Sequence, residues 1–172
     1  RTARTSPTRT GIEHLMRIAV IGTGGVGGYF GGRLAQAGHD VTFVARGRHL
    51  AALRERGLTI ESSLGNATIG NATFTDDVAS VAPCDVVMFC VKLWDVEATA
   101  QAIAPLVAAG GIVIPFQNGV DAPEVLGRIL GPQRVAGGVA YIAATIRESG
   151  VIAHTGTMAR LVEAGVDVRY VA

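Results

Sequence analysis

Short β-branched runs alternate along this chain with segments whose apolar residues recur at helical spacing. Residues 17–22 (RIAVIG) end on Gly and predict a buried strand. Residues 25–37 predict a helix, with Gly38 at the left-handed position that ends one. Residues 40–45 predict a second strand, and 48–56 a second helix closed by Gly57. Strand, helix and strand in tight succession are most simply a parallel pair with a right-handed crossover.

Residues 58–60 and 67–74 predict short strands around a hairpin-type turn at Gly65-Asn66. The continuous apolar run 85–91 predicts a central parallel strand covered on both faces. An Ala-rich helix is predicted over 96–109, stopped by Gly110-Gly111, and a strand over 111–116. A further helix is predicted over 122–130, with Pro123 in its first turn. Residues 134–145, 150–154 and 155–162 are strand-like. The fold class implied is α/β: a Rossmann-type, doubly wound, mostly parallel sheet with helices on both faces.

Composition narrows this picture. Of 172 residues, 49% are hydrophobic and 17% charged, which excludes a disordered chain. Aromatics are only 5%, so Ala, Val, Ile and Leu must build the core. Residues 1–15 lack the apolar stretch of a secretory signal and read as an extension, a tag remnant or upstream translated sequence. A mitochondrial-type presequence is the alternative reading of their Arg- and Thr-rich composition. Without them, 12 basic residues face 13 acidic ones, so the formal +1 of the whole chain belongs to the extension. Neither nucleic acid nor a membrane surface is the partner such a charge suggests. The longest apolar stretch, residues 102–116, is broken by Pro105, Gly110 and Gly111 and falls short of the roughly 20 residues a membrane span needs. Two cysteines, Cys84 and Cys90, make no disulfide framework and favour a reduced, cytoplasmic setting. A metal site is not expected.

The candidate chemistry starts where the first strand ends. Gly22-Thr23-Gly24-Gly25-Val26-Gly27 is a G-x-G-x-x-G with a strand before it, a helix after it and a strand next. Gly22 permits the sharp turn, Gly24 lets the backbone approach a pyrophosphate, and Gly27 lets the helix pack close to the strand. The alternative is that these glycines serve packing alone. An NAD site places an acid after the second strand; here Arg46 stands there, and a guanidinium suits a 2′-phosphate. NADP(H) is therefore expected over NAD(H), against the alternative of a solvated Arg. Lys92 follows the strand over 85–91, and Gln117-Asn118-Gly119 follow the strand over 111–116. In an open α/β sheet both lie at the ligand-binding edge. Lys92 offers a cationic donor and Asn118 a neutral donor and acceptor. A snorkelling Lys and a turn-shaping Asn remain the other readings. His154 and Cys90 are read as structural residues.

RIAVIGTGGVGGYFGGRLAQAGHDVTFVAR, CVKLWDVEA, PFQNGV and GVIAHTGT, in this order and spacing, closely resemble the amino-terminal domain of ketopantoate reductases (2-dehydropantoate 2-reductases). The resemblance covers about residues 16–162. It implies NADPH-dependent reduction of 2-dehydropantoate to (R)-pantoate, a step of pantothenate and coenzyme A synthesis. It implies that Gly22, Thr23, Gly24, Gly25, Val26 and Gly27 cradle the pyrophosphate and that Arg46 holds the 2′-phosphate. Lys92 and Asn118 would lie near nicotinamide and substrate, and Ala143 would line the cofactor pocket through its backbone. Members also carry a second, helical domain with a general-acid lysine and a substrate-holding glutamate; nothing after residue 162 matches it. Little turnover is therefore expected of this chain alone. Reduction of another 2-keto acid and a non-catalytic dinucleotide-binding module are the alternatives, and a homodimer is left open.

Three segments are thus expected: 1–15 as extension, 16–162 as the NADP-binding domain, and 163–172 as the remnant of an interrupted segment. Glu163-Ala164-Gly165 reads as a helix end and its Gly cap, yet no helix fits between Val162 and Gly165. A segment missing near Val162 and Glu163 is one explanation, and a tight turn in a divergent protein is the other.

Overall fold

The computed structural model describes residues 15–107, 110–163 and 166–168. The expected extension therefore lies outside the described residues except for Leu15, as do the last positions of the predicted 96–109 helix and most of the 163–172 tail.

Five parallel strands form the first sheet: β1 (Arg17–Ile21), β2 (Asp40–Val44), β5 (Thr73–Thr75), β6 (Val86–Phe89) and β7 (Ile112–Pro115). Their order is β5-β2-β1-β6-β7, so the chain winds outward in both directions from β1. The reversal lies between β1 and β6, the place where ligands bind in sheets of this kind. Alternation along the strands splits their side chains between two cores. Ile18, Val20, Phe43 and Met88 face one core; Ala19, Ile21, Val87 and Phe89 face the other. The second core is closed by helices α3 (Val96–Val107) and α4 (Asp121–Leu130), through Ala100, Ile103 and Leu126.

The first core is closed by two helices and a second sheet. Helix α1 (Gly25–Gln36) contributes Tyr29 and Phe30, and α2 (Gly47–Arg56) contributes Leu50 and Leu53. The second sheet combines β3 (Leu58–Ser62), β4 (Ala67–Ile69), β8 (Gly138–Glu148), β9 (Val151–Glu163) and β10 (Val166–Val168). Helix α1 lies between the sheets. A Cβ on Gly31 would stand 2.6 Å from Val20 Cγ2 and 2.7 Å from Phe43 Cε1 of the parallel sheet. A Cβ on Gly32, on the other side, would stand 2.6 Å from Ile60 Cδ1 of the second sheet. Glycine inside a helix costs about 1 kcal/mol relative to Ala. Close approach to a sheet on each side is what offsets it.

Several local expectations change. The predicted 67–74 strand is two strands in different sheets: β4 turns back on β3 as a hairpin, while β5 joins β2 in parallel. Gly70-Asn71-Ala72 separates them. The predicted 134–145 strand begins as a parallel bridge between Val135 and Val113, then crosses to the second sheet as β8. Residues 150–154 and 155–162 are one strand, β9, which ends at Glu163, so Glu163 closes a strand and not a helix. Val166, Asp167 and Val168 pair antiparallel with Glu163, Val162 and Leu161. Among the described residues no helix is long and apolar enough to cross a membrane, and no cluster of His, Cys, Asp and Glu could hold a metal ion.

Candidate functional site

Strand register levels three strand ends at one edge. Ile21 pairs with Phe89, and Phe89 with Pro115. The ladder runs one bond further on each side: Cys90 N–H donates to the Ile21 carbonyl at 2.8 Å and Phe116 N–H to the Phe89 carbonyl at 3.0 Å. The glycine loop, the Lys92 segment and the Asn118 segment therefore leave the sheet side by side.

The loop is held from within. The Val44 carbonyl accepts from Gly22 N–H at 3.2 Å, Thr23 N–H at 3.1 Å and Thr23 Oγ1 at 3.0 Å. Thr23 is buried, so its hydroxyl shapes the loop and does not face an open ligand space. Gly22 has φ +98°, and a Cβ there would stand 2.8 Å from the Cys90 carbonyl oxygen, so the turn admits only glycine. A Cβ on Gly27 would collide with the Gly22 carbonyl oxygen. Gly24, by contrast, has nothing within 4 Å of its Cβ position: it faces open space.

Helix α1 begins there without a capping side chain or an acidic residue in its first turn. Its first internal bond runs from Gly28 N–H to the Gly24 carbonyl at 2.7 Å. The amides of Gly25, Val26 and Gly27 precede it, where the helix dipole is positive. An uncapped helix start beneath an open glycine is the donor set a phosphate requires, so the residues fit the pyrophosphate of a dinucleotide. Arg46 caps α2 two residues past Val44 and is exposed, with no ion pair among the described residues. It can take a further phosphate.

Lys92 and Asn118 are exposed at their strand ends. Gln117 ties these ends together: its Nε2 donates to the Phe89 carbonyl at 3.0 Å and to the Val91 carbonyl at 3.1 Å. Sequence reading placed Gln117 beside Asn118 without this role; a polar residue one step past a central strand was the available signal. Leu93, Trp94 and Val120 add an exposed apolar rim on the same two segments. Ala143 lies unpaired in β8 where the register shifts between Ile142 and Ala144, opposite residues 155–158 of β9. The next carbonyl, of Ala144, lies where a Gly25 side chain would be, so β8 crosses the start of α1 and Ala143 stands close to the loop.

His154 is structural. Its Nδ1 accepts from Ser62 Oγ at 2.8 Å, its Nε2 faces the Met158 carbonyl at 3.0 Å, and its ring lies 4.9 Å from that of Tyr29. Burial pushes the Cys90 thiol up to about 12, which makes it a packing group and not a nucleophile.

Comparison with known proteins adds a family to this geometry. A family model described as "Ketopantoate reductase PanE/ApbA" matches residues 18–165. An uncharacterized oxidoreductase of Bacillus subtilis, YkpB, is 33% identical over 147 residues, covering 86% of this chain and 48% of its own. The 2-dehydropantoate 2-reductase of a Nostoc species is 32% identical over 138 residues, covering 80% and 43%. The crystal structure of 2-dehydropantoate 2-reductase from Porphyromonas gingivalis superposes with a TM-score of 0.79 at 31% identity, covering 85% of this chain and 53% of that one. This chain thus spans about half the length of the relatives it matches.

Proposed function

The chain belongs to the ketopantoate reductase PanE/ApbA family, and from that premise we propose that it is the cofactor-binding part of an NADPH-dependent 2-dehydropantoate 2-reductase. The observation that carries the proposal is the open, uncapped glycine loop at the reversal between β1 and β6, with Arg46 beyond β2 and Lys92 and Asn118 on the neighbouring strand ends.

The nicotinamide supplies the hydride when the cofactor is bound. The chain's own residues bind and orient. Amides of Gly25, Val26 and Gly27 take the pyrophosphate, and the Arg46 guanidinium takes the 2′-phosphate through charge-assisted bonds. Lys92 favours the carboxylate of a 2-keto acid and stabilises negative charge developing on the carbonyl oxygen. Asn118 donates to, or accepts from, groups at the same edge. Gln117 holds the backbone that carries Lys92. The partner this gives the protein is a small 2-keto acid.

The test is NADPH oxidation with 2-dehydropantoate and a panel of other 2-keto acids. The full-length protein is expected to turn over 2-dehydropantoate in preference to the panel. The 172-residue chain is expected to bind NADPH with little turnover. No turnover of any 2-keto acid by the full-length protein would overturn the proposal.

A further inference from the structure

His49 lies in the first turn of α2, and its Nδ1 accepts the Gly150 amide at 3.1 Å. That amide belongs to the Ser149-Gly150 turn between β8 and β9, which is pinned to α2 and β3. Arg56 donates to the Ser149 carbonyl at 3.2 Å, and Thr59 N–H to the Gly150 carbonyl at 2.9 Å. Ala52 Cβ stands 3.3 Å from where a Gly150 side chain would begin. From this turn β8 runs back across the start of α1, where the Ala144 carbonyl covers Gly25.

With Nδ1 accepting, the neutral ring carries its hydrogen on Nε2. Nε2 is buried and makes no hydrogen bond among the described residues. A buried donor without a partner is costly and calls for an explanation. Two influences act on the ring: burial, the larger, lowers its pKa, and the backbone of Thr23 raises it, as a carbonyl facing an N–H does. Thr23 is the second residue of the glycine loop.

We propose that His49 is a positioning residue for the cofactor loop: anchored on Gly150 through Nδ1, it offers Nε2–H to the Thr23 carbonyl and holds the loop where it receives the phosphates. The inference rests on the dinucleotide reading of the site. His49 touches neither cofactor nor substrate in this role. It acts through the Thr23 backbone, and through the turn that sets β8 over the helix start.

The experiment is an NADPH titration of the full chain and of His49→Phe, His49→Asn and His49→Gln, each with its melting temperature. Phe keeps the ring's bulk and loses both bonds. Asn keeps an acceptor near the Nδ1 position, and Gln reaches a donor to the Nε2 position. NADPH affinity is expected to fall about five- to tenfold in the Phe and Asn variants and to recover in the Gln variant. The Asn variant is expected to keep its melting temperature. Affinities within about twofold of wild type in the Phe and Asn variants would overturn the inference, and so would affinities that merely follow melting temperature. Failure of the wild-type chain to bind NADPH or NADH would instead overturn the dinucleotide reading, and the inference with it.

Discussion

Gly24→Ala and Gly31→Ala separate a glycine that leaves room for a ligand from one that leaves room for a sheet. Gly24 has φ −85°, which Ala adopts freely, and nothing lies within 4 Å of its Cβ position. Its replacement is expected to change stability by no more than about 0.5 kcal/mol, or roughly 2 °C in Tm. Against a bound pyrophosphate the same methyl occupies the space through which the loop backbone must approach. Loss of one charge-assisted bond costs about 1.5–3 kcal/mol, which weakens NADPH about 10- to 100-fold. Gly31 is the opposite case. Its added methyl would stand 2.6 Å from Val20 and 2.7 Å from Phe43, both fully buried and unable to retreat. Overpacking of this kind costs about 3 kcal/mol, of which the better helix propensity of Ala returns about 1. The net of about 2 kcal/mol lowers Tm by roughly 4–8 °C. The assays are thermal unfolding and NADPH titration by fluorescence. Gly24→Ala should move the second readout and Gly31→Ala chiefly the first. A Gly24→Ala protein that melts early yet binds NADPH like wild type would refute the assignment of the loop to a ligand.

Two pH dependences follow from partly buried residues. Burial holds the Cys90 thiol protonated up to about 12, above its unfolded value near 9, so its stabilising contribution is complete below pH 9 and lost as pH rises toward 12. Thermal melts between pH 8 and 11 should show this loss in wild type and less of it in Cys90→Ala, and at pH 8 Cys90 should react with thiol reagents only on unfolding. Burial lowers the His49 pKa below 6.5, so the stability its neutral ring supports is present above pH 6.5 and lost as pH falls through the folded value. Melts between pH 7 and 4 should be flatter in His49→Phe than in wild type.

The parallel sheet and its ligand edge were legible because their signals are local. RIAVIG, the glycine loop and DVTFV lie within thirty residues, and each element's ends are marked by Gly or a polar residue. What the glycines of α1 face was not legible: Gly31 meets the parallel sheet and Gly32 the second one. The second sheet was hidden because its pairings are remote: Thr59 with Val151, and Ile60 with Ile152, join segments about ninety residues apart. Alternation in β8 and β9 predicts strands and names no partner. Splitting of the 67–74 run was hidden because alternation does not name β2 as the partner of its second half. Lys92, Asn118 and Arg46 stand exposed at the ends of their strands, where their order in the sequence predicts them. Gln117 and His49 act through hydrogen bonds to backbone atoms distant in sequence, which no spacing reveals.

The central claim is that the exposed Arg46, where an NAD site would carry an acid, reads the 2′-phosphate of NADP(H). Its most direct test is titration of wild type and Arg46→Ala with NADPH and with NADH, both followed by nicotinamide fluorescence. Wild type should bind NADPH at least about tenfold more tightly than NADH, and Arg46→Ala should lose that preference by weakening NADPH alone. Equal affinity of the wild-type chain for the two cofactors, or an unchanged preference in Arg46→Ala, would contradict it.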